Sequence, residues 1–260
     1  MSGTGDSVLE VRDLKVWYTA GKGFLRRARG VVKAVDGVSL AVRRGETLGV
    51  VGESGSGKST IARAIFGLVR KTGGEISLRG RAAMVFQDPL GSLNPRKTVR
   101  LALDEVLRRC DAAADATAEE LLESVGLDGT ALDRYPHEFS GGQRQRICIA
   151  RAIAAKPDLL VCDEAVSALD LSVRAQTLDL LSALRRRLGL AMLFITHDLG
   201  VVRHVADRVV VLNRGRIVEE GDCASVLAHP RDAYTRRLVA SVPRIFPCGE
   251  RESAACGAGT

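Results

Sequence analysis

The residues best suited to chemistry in this 260-residue chain begin at Gly52, in the run GESGSGKST. The spacing fits G-x-x-x-x-G-K-[ST]. Gly52, Glu53, Ser54, Gly55, Ser56 and Gly57 form a glycine-rich loop whose backbone N–H groups can wrap a β-phosphate. Lys58 then reaches β and γ oxygens, Ser59 offers a hydroxyl to Mg²⁺, and Thr60 continues into a helix. Such a loop needs a second metal contact, normally a carboxylate closing a neighbouring buried strand. LLVCDE supplies it: Leu159–Cys162 are apolar, Asp163 at the end can hold Mg²⁺ through water, and Glu164 can orient or deprotonate an attacking water. FITHD repeats the arrangement, an apolar strand ending at His197, whose imidazole can hydrogen-bond a γ-phosphate. Gln87, directly after AAMVF, is a fourth polar group at a strand end, suited to sensing Mg²⁺ and water.

A second anion site is written at EFSGGQRQR, Glu138 to Arg146. Ser140, Gly141, Gly142 and Gln143 open what reads as a helix, where unpaired N–H groups and the positive end of the dipole favour a negative ligand. One small chain thus carries two phosphate cradles.

These groups work only if a scaffold brings them together. TLGVV, Thr47–Val51, is a short apolar run feeding the glycine loop, and KSTIARAIFGLV has helical spacing that stops near Gly67 and Gly73. Ahead of them, 8–18 and 31–42 alternate apolar and polar residues as half-buried antiparallel strands do, with the basic loop GKGFLRRARG between them. After strand-like AAMVF and the turn-rich QDPLGSLNPRKT, the texture becomes helical from about Val99 to Leu132, interrupted by the polar DAAADATAEE. An α/β core then resumes: strand DLLVCDE, helix 172–188, strand AMLFIT, a short helix, strand RVVVLN, a hairpin at NRGR and strand IVEEG. Alternating strands and helices predict a mostly parallel sheet. The expected fold is α/β, with an N-terminal antiparallel β-subdomain and a helical subdomain inserted at about 95–150. The unit is expected over 8–240, followed by a loose tail at 241–260.

The bulk properties are those of a soluble globular protein, 46% hydrophobic and 27% charged. No apolar run approaches the roughly 18 residues that cross a bilayer, and the N-terminus lacks a signal-peptide pattern, so a cytoplasmic location is expected. A net charge of +7 admits nucleic acid, but the arginines are scattered and aromatics make up only 4% of residues, so no nucleic-acid partner is expected. A solvated surface near anionic lipid headgroups accounts better for the charge. The six cysteines show no C-x-x-C pair and read as structural thiols.

Taken together, the motifs resemble the nucleotide-binding subunit of an ATP-binding cassette (ABC) transporter, a family of P-loop NTPases, from Val8 to about Ala240. They stand in the family's order: phosphate loop Gly52–Thr60, glutamine loop at Gln87, signature SGGQ at Ser140–Gln143, LLVCDE, SALD at Ser167–Asp170 and the switch His197. The resemblance implies that an aromatic near VWYT stacks on adenine, with Tyr18 matching best and Trp17 its neighbour. A finer likeness, in VKAVDGVSL, VGESGSGKST, MVFQDPLGSLNPR and AHPRDAYTRRLVASVP, is to the ATPases of importers for dipeptides, oligopeptides, glutathione or nickel. The chain departs from them in three ways. The stretch between GEISLRG and MVFQ is nearly absent, which trims a surface connection. DEAVSALD lacks a proline after Glu164, which implies a less rigid loop. The tail holds only Cys248 and Cys256, too few for a four-cysteine iron–sulfur site.

The resemblance further implies ATP and Mg²⁺ as ligands, hydrolysis of ATP, and a dimer in which each nucleotide lies between the phosphate loop of one subunit and the SGGQ helix of the other. It implies integral membrane permease subunits, an extracellular solute-binding protein reached through the complex, and a peripheral position on the cytoplasmic face of the membrane. A soluble cassette ATPase of translation or DNA maintenance would normally carry two cassettes or a long coiled coil, and the chain has neither pattern. A non-catalytic regulator would be expected to lack Glu164 or His197.

Overall fold

The computed structural model describes residues 7–19, 30–110 and 116–241. The basic loop at 21–30 lies almost wholly outside them, as do part of DAAADATAEE and the tail with Cys248 and Cys256. In chain order the elements are β1 (Ser7–Thr19), β2 (Val31–Arg43), β3 (Thr47–Val51), α1 (Lys58–Ile65), β4 (Gly73–Leu78), β5 (Ala82–Val85), α2 (Pro89–Ser92), α3 (Val99–Arg109) and α4 (Ala118–Ser124). They continue with α5 (Gly141–Ile153), β6 (Leu159–Asp163), α6 (Leu171–Leu188), β7 (Ala191–Thr196), α7 (Leu199–Val205), β8 (Arg208–Asn213), β9 (Arg216–Asp222), α8 (Cys223–Ala228) and α9 (Ala233–Ala240).

Two sheets form. The small antiparallel sheet has order β2-β1-β4, and the large one has order β5-β6-β7-β3-β8-β9. Every pair in the large sheet is parallel except β8–β9 at its edge. The expected mostly parallel sheet and N-terminal antiparallel unit are both present. Strands β3, β6 and β7 are buried along their whole length, which is why they read as unbroken apolar runs. Alternation then sorts their side chains. Leu160, Cys162, Met192 and Phe194 face a core shared with α3, α4, α5 and α6, while Leu159, Val161, Leu193 and Ile195 face α1 and the small sheet. Connections that the sequence left unassigned are β4, α8 and α9. Arg79–Arg81 alone joins β4 to β5, which is the trimmed connection seen in the sequence.

Helix α5 is tied to its surroundings by arginines spaced along it. Arg144 donates to Pro136 O at 2.9 Å, Arg146 to Val125 O at 2.9 Å, and Arg151 to Ser92 O. Three loops therefore take their position from one helix. Cys148, Cys162 and Cys223 are buried free thiols and Cys110 is partly buried. Burial pushes the thiols of Cys148 and Cys162 up to about 11 and about 12, far from reactive thiolates.

Candidate phosphate-binding and hydrolytic site

Parallel register brings the predicted residues to one edge of the sheet. Val51 pairs with Thr196, Asp163 with Ile195, and Val85 with Cys162, so the chain leaves β3, β5, β6 and β7 at the same carboxyl end. That edge is where open α/β sheets place their ligands. Gly52–Gly57 lie beyond β3, Gln87 beyond β5, Asp163 and Glu164 at the end of β6, and His197 beyond β7.

The glycine loop is shaped by close backbone contacts. Gly57 caps α1 with φ 109°, and a Cβ there would fall 2.2 Å from Ala34 O, so only glycine fits. The two-residue turn Arg214-Gly215 between β8 and β9 has φ 47° and 78°, the left-handed pair of a type I′ hairpin, and its Gly215 N–H donates to Ser56 O at 2.8 Å. Inside the loop Lys58 is 4% exposed, and its ammonium donates to Gly52 O at 2.7 Å and Glu53 O at 2.9 Å. Burial lowers its pKa, against the pull of Glu164 and Asp163. The Ser56 hydroxyl is buried with no hydrogen-bond partner. Such a loop offers the backbone of the exposed residues Ser54 and Gly55, a buried cation and an unpaired hydroxyl, a donor set that fits an oxyanion.

Ser59 donates to Asp163 Oδ1 at 2.9 Å. Burial raises the Asp163 carboxyl above its ordinary value, the charge of Glu164 adds to this, and the Ser59 bond opposes it. Burial outweighs the nearby positive charges of Arg63 and Lys58, so a carboxylate paired with a hydroxyl here still gains from a hard divalent cation. Among the described residues no three His, Cys, Asp or Glu side chains group to hold a metal alone, so a cation here relies on oxygens of its ligand.

Glu164 has φ 51°, an uncommon conformation for a non-glycine residue. Its backbone is held on both sides: Glu164 N–H donates to Ile195 O at 2.9 Å, and Ser167 donates to Glu164 O from its N–H at 3.2 Å and its hydroxyl at 2.9 Å. Ser167, not a proline, closes this turn. The Glu164 side chain is 19% exposed and its Oε1 lies 3.3 Å from His197 Nδ1. Gln87 is exposed at the same edge.

One functional neighbour escaped the sequence. Arg174 of α6 donates to Asp198 Oδ2 at 3.0 Å and reaches Ser167 O and Leu169 O at 3.4 Å, so it spans the turns that carry Glu164 and His197. An arginine inside a helical run carries no spacing signal, and only the fold reveals it.

The aromatics separate by strand alternation. Tyr18 shares the side of β1 that carries buried Leu14 and Val16, while Trp17 lies on the other, with Lys33 Nζ 4.5 Å from its ring centroid. Tyr18 is 43% exposed, against 37% for Trp17.

Ser140–Gln143 open α5 rather than follow a strand of this edge. Ser140 caps α5 in a capping box: its Oγ accepts from Gln143 N–H at 3.3 Å, and Gln143 Oε1 accepts from Ser140 N–H at 3.0 Å. A Cβ on Gly142 would meet Val173 of α6 at 2.4 Å, whereas one on Gly141 meets nothing within 4 Å. The helix start is open at Gly141, and the first N–H groups of α5 have no intrahelical acceptor. Among the described residues no hydrogen bond joins this stretch to the glycine loop.

Comparison with known proteins bears on the whole assembly. Residues 35–167, just over half the chain, match the ABC transporter family. The chain is 47% identical to the oligopeptide transport ATP-binding protein OppF of Lactococcus lactis, over 92% of this chain and 81% of that protein. It is also 47% identical to the probable D,D-dipeptide transport ATP-binding protein DdpF of Escherichia coli, over 92% and 80%. Its fold resembles the dimeric ATP-binding cassette MJ0796 in a post-hydrolysis state bound to ADP and Pi, with TM-score 0.68 and 26% identity, covering 83% of this chain and 98% of that one. With two strand-end motifs, a glycine loop and a capped SGGQ helix carried on that fold, this chain belongs to the ABC transporter family.

Proposed function

We propose that this chain is the ATP-hydrolysing subunit of a peptide importer, working as a dimer of nucleotide-binding subunits on the cytoplasmic face of the membrane beneath separate permease subunits. The observation that carries the reading is the convergence of Lys58, Ser59, Asp163, Glu164 and His197 at one sheet edge, in a chain close to peptide-transport ATPases. Among the described residues no helix is long and apolar enough to cross a membrane, so transport needs partners.

Gly52–Thr60 hold the triphosphate, with Lys58 exchanging backbone carbonyls for phosphate oxygens. Ser59 and, through water, Asp163 would hold Mg²⁺, which would supply countercharge for the phosphates. Tyr18 stacks on adenine, since it is the more exposed of the two aromatics while the ring of Trp17 carries Lys33. Glu164 accepts a proton from the attacking water, Gln87 orients that water and would face the cation held by Ser59 and Asp163, and His197 bonds the γ-phosphate while holding Glu164 in place. Ser140–Gln143 serve the nucleotide on the other subunit. The open face at Gly141 and, among the described residues, the absence of a hydrogen bond to the glycine loop of their own chain support that division. The contact to the γ-phosphate exists only before hydrolysis, so its loss opens the dimer. Helices α2–α5, tied by Arg151 to the segment after Gln87, carry the motion to the permeases. An extracellular solute-binding protein completes the importer.

The test is ATPase activity of the complex purified from membranes. Peptide-loaded solute-binding protein should raise turnover several-fold, and recovery of the chain only in the soluble fraction, hydrolysing ATP without any permease partner, overturns the transport reading.

A further inference from the structure

The peptide unit between Gly52 and Glu53 is held at both ends. Its carbonyl oxygen accepts from Lys58 Nζ at 2.7 Å, and its amide N–H donates to the Tyr234 hydroxyl at 3.0 Å, a bond that joins positions 181 residues apart. We infer that Tyr234 is a positioning residue for the phosphate loop, fixing through this one bond the peptide against which Lys58 is oriented. The inference rests on the ATP-binding role given to the loop and adds to it a residue of the last described helix.

Tyr234 is well placed to act as a fixed point. Its ring is buried in a cluster with Val51, Leu199, Val209 and Val226, so it packs on the strand that leads into the loop. Asp232 caps α9 by accepting from Tyr234 N–H at 2.7 Å, and the Glu219 carboxylate accepts from the N–H groups of Arg231 at 2.8 Å and Asp232 at 3.1 Å. The start of α9 is thereby bound to β9. By contrast Glu53 is exposed, and a cavity of about 440 Å³, lined in part by Glu53, Arg214, Tyr234 and Arg237, opens beside it. The Glu53 carbonyl accepts from Ser56 N–H at 3.2 Å and from Lys58 Nζ at 2.9 Å, both within the loop, so the Tyr234 bond is the one that ties the Glu53 amide to the rest of the fold. The other end of the loop has its own anchor in the Gly215–Ser56 bond. When Lys58 turns from Gly52 O to a phosphate, the peptide loses one of its two hydrogen bonds and keeps the one to Tyr234.

Tyr234→Phe removes the hydroxyl and leaves the buried ring. The expected result is a rise of about fivefold in the Kd for Mg-ATP, because binding must then order a peptide that the free protein no longer holds, with the thermal midpoint of the nucleotide-free protein lower by about 2 °C for the lost bond. KM should rise by the same factor, and by more than kcat falls. Hydrogen exchange at the Glu53 amide should quicken in the nucleotide-free protein. Unchanged Kd and unchanged Glu53 exchange overturn the inference, and so does a lowered thermal midpoint with an unchanged Kd, which marks a purely structural tyrosine. If wild type itself binds no ATP, the functional reading fails, while the exchange at Glu53 still decides whether Tyr234 fixes the loop.

Discussion

Glu164 Oε1 and His197 Nδ1 lie 3.3 Å apart although they close different strands. The contact follows from register. Strands β6 and β7 are adjacent and parallel, with Asp163 opposite Ile195, so the residues that follow emerge side by side. The Glu164 amide then bonds Ile195 O, which turns the glutamate toward the histidine in a left-handed backbone conformation. A carboxylate and an imidazole so held can manage one water between them.

Arg174 stabilises this pairing from behind, bonding Asp198 beside the histidine and two carbonyls of the turn after the glutamate. Arg174→Ala should lower kcat about tenfold, consistent with loss of a charged hydrogen bond of about 1.5 kcal/mol, and leave the ATP Kd within about twofold. Phosphate release and nucleotide titration separate the two quantities. A weakened Kd with unchanged kcat would argue against a role in aligning the turns.

Gly57 tests the shape of the loop. Alanine there combines φ 109° with a Cβ 2.2 Å from Ala34 O, and should cost about 2 kcal/mol or more of stability and abolish nucleotide binding. At Gly55 the same change meets only conformational strain, since φ is 80° and no atom lies within 4 Å, and should cost about 1 kcal/mol. Paired thermal melts and nucleotide titrations check the ranking, which equal losses at both positions would refute.

Asp163 gives a pH dependence of unusual sign. Burial raises its carboxyl above the ordinary value, so the nucleotide-free fold binds that proton more tightly than the unfolded chain does. Its ionised form therefore costs stability, a cost that appears as pH rises from the ordinary carboxylate range through the raised value and is removed on acidification. Asp163→Asn keeps an acceptor for Ser59 and removes the charge. It should raise the thermal midpoint at neutral pH by about 2 °C while Mg²⁺-dependent ATP hydrolysis disappears. Melting curves with and without Mg-ATP give both readouts, and a variant less stable than wild type at neutral pH would contradict the assignment.

Ser140→Arg addresses the second cradle. The bulk and charge fill the open helix start next to Gly141, and activity should vanish while one subunit alone binds ATP with wild-type affinity. Hydrolysis at full rate in the assembled complex would remove Ser140–Gln143 from the site.

Much of this was legible because the relevant signals are local. Buried parallel strands announce themselves as apolar runs, and a strand-end carboxylate or histidine follows at once, as at Asp163, Glu164 and His197. The SGGQ helix start was equally visible, since capping and glycine content are sequence properties. Strand β4 was not, because GGEISL opens on glycines and is only half buried. Helices α8 and α9 are short, though Asp222 and Asp232 before them are capping residues that mark their starts. Arg174 and Tyr234 were invisible for a different reason: their partners lie far along the chain, and only tertiary packing brings them to the turns they hold. That Trp17 and Tyr18 lie on opposite sides of β1 likewise emerges only in the fold.

The central claim is that Glu164 drives hydrolysis at a site otherwise built to bind ATP. Steady-state phosphate release by the Glu164→Gln complex, measured beside ATP binding, tests it most directly. The account predicts turnover at least about 100-fold below wild type, with ATP affinity retained and the ATP-bound dimer accumulating. Wild-type turnover in this variant would contradict it.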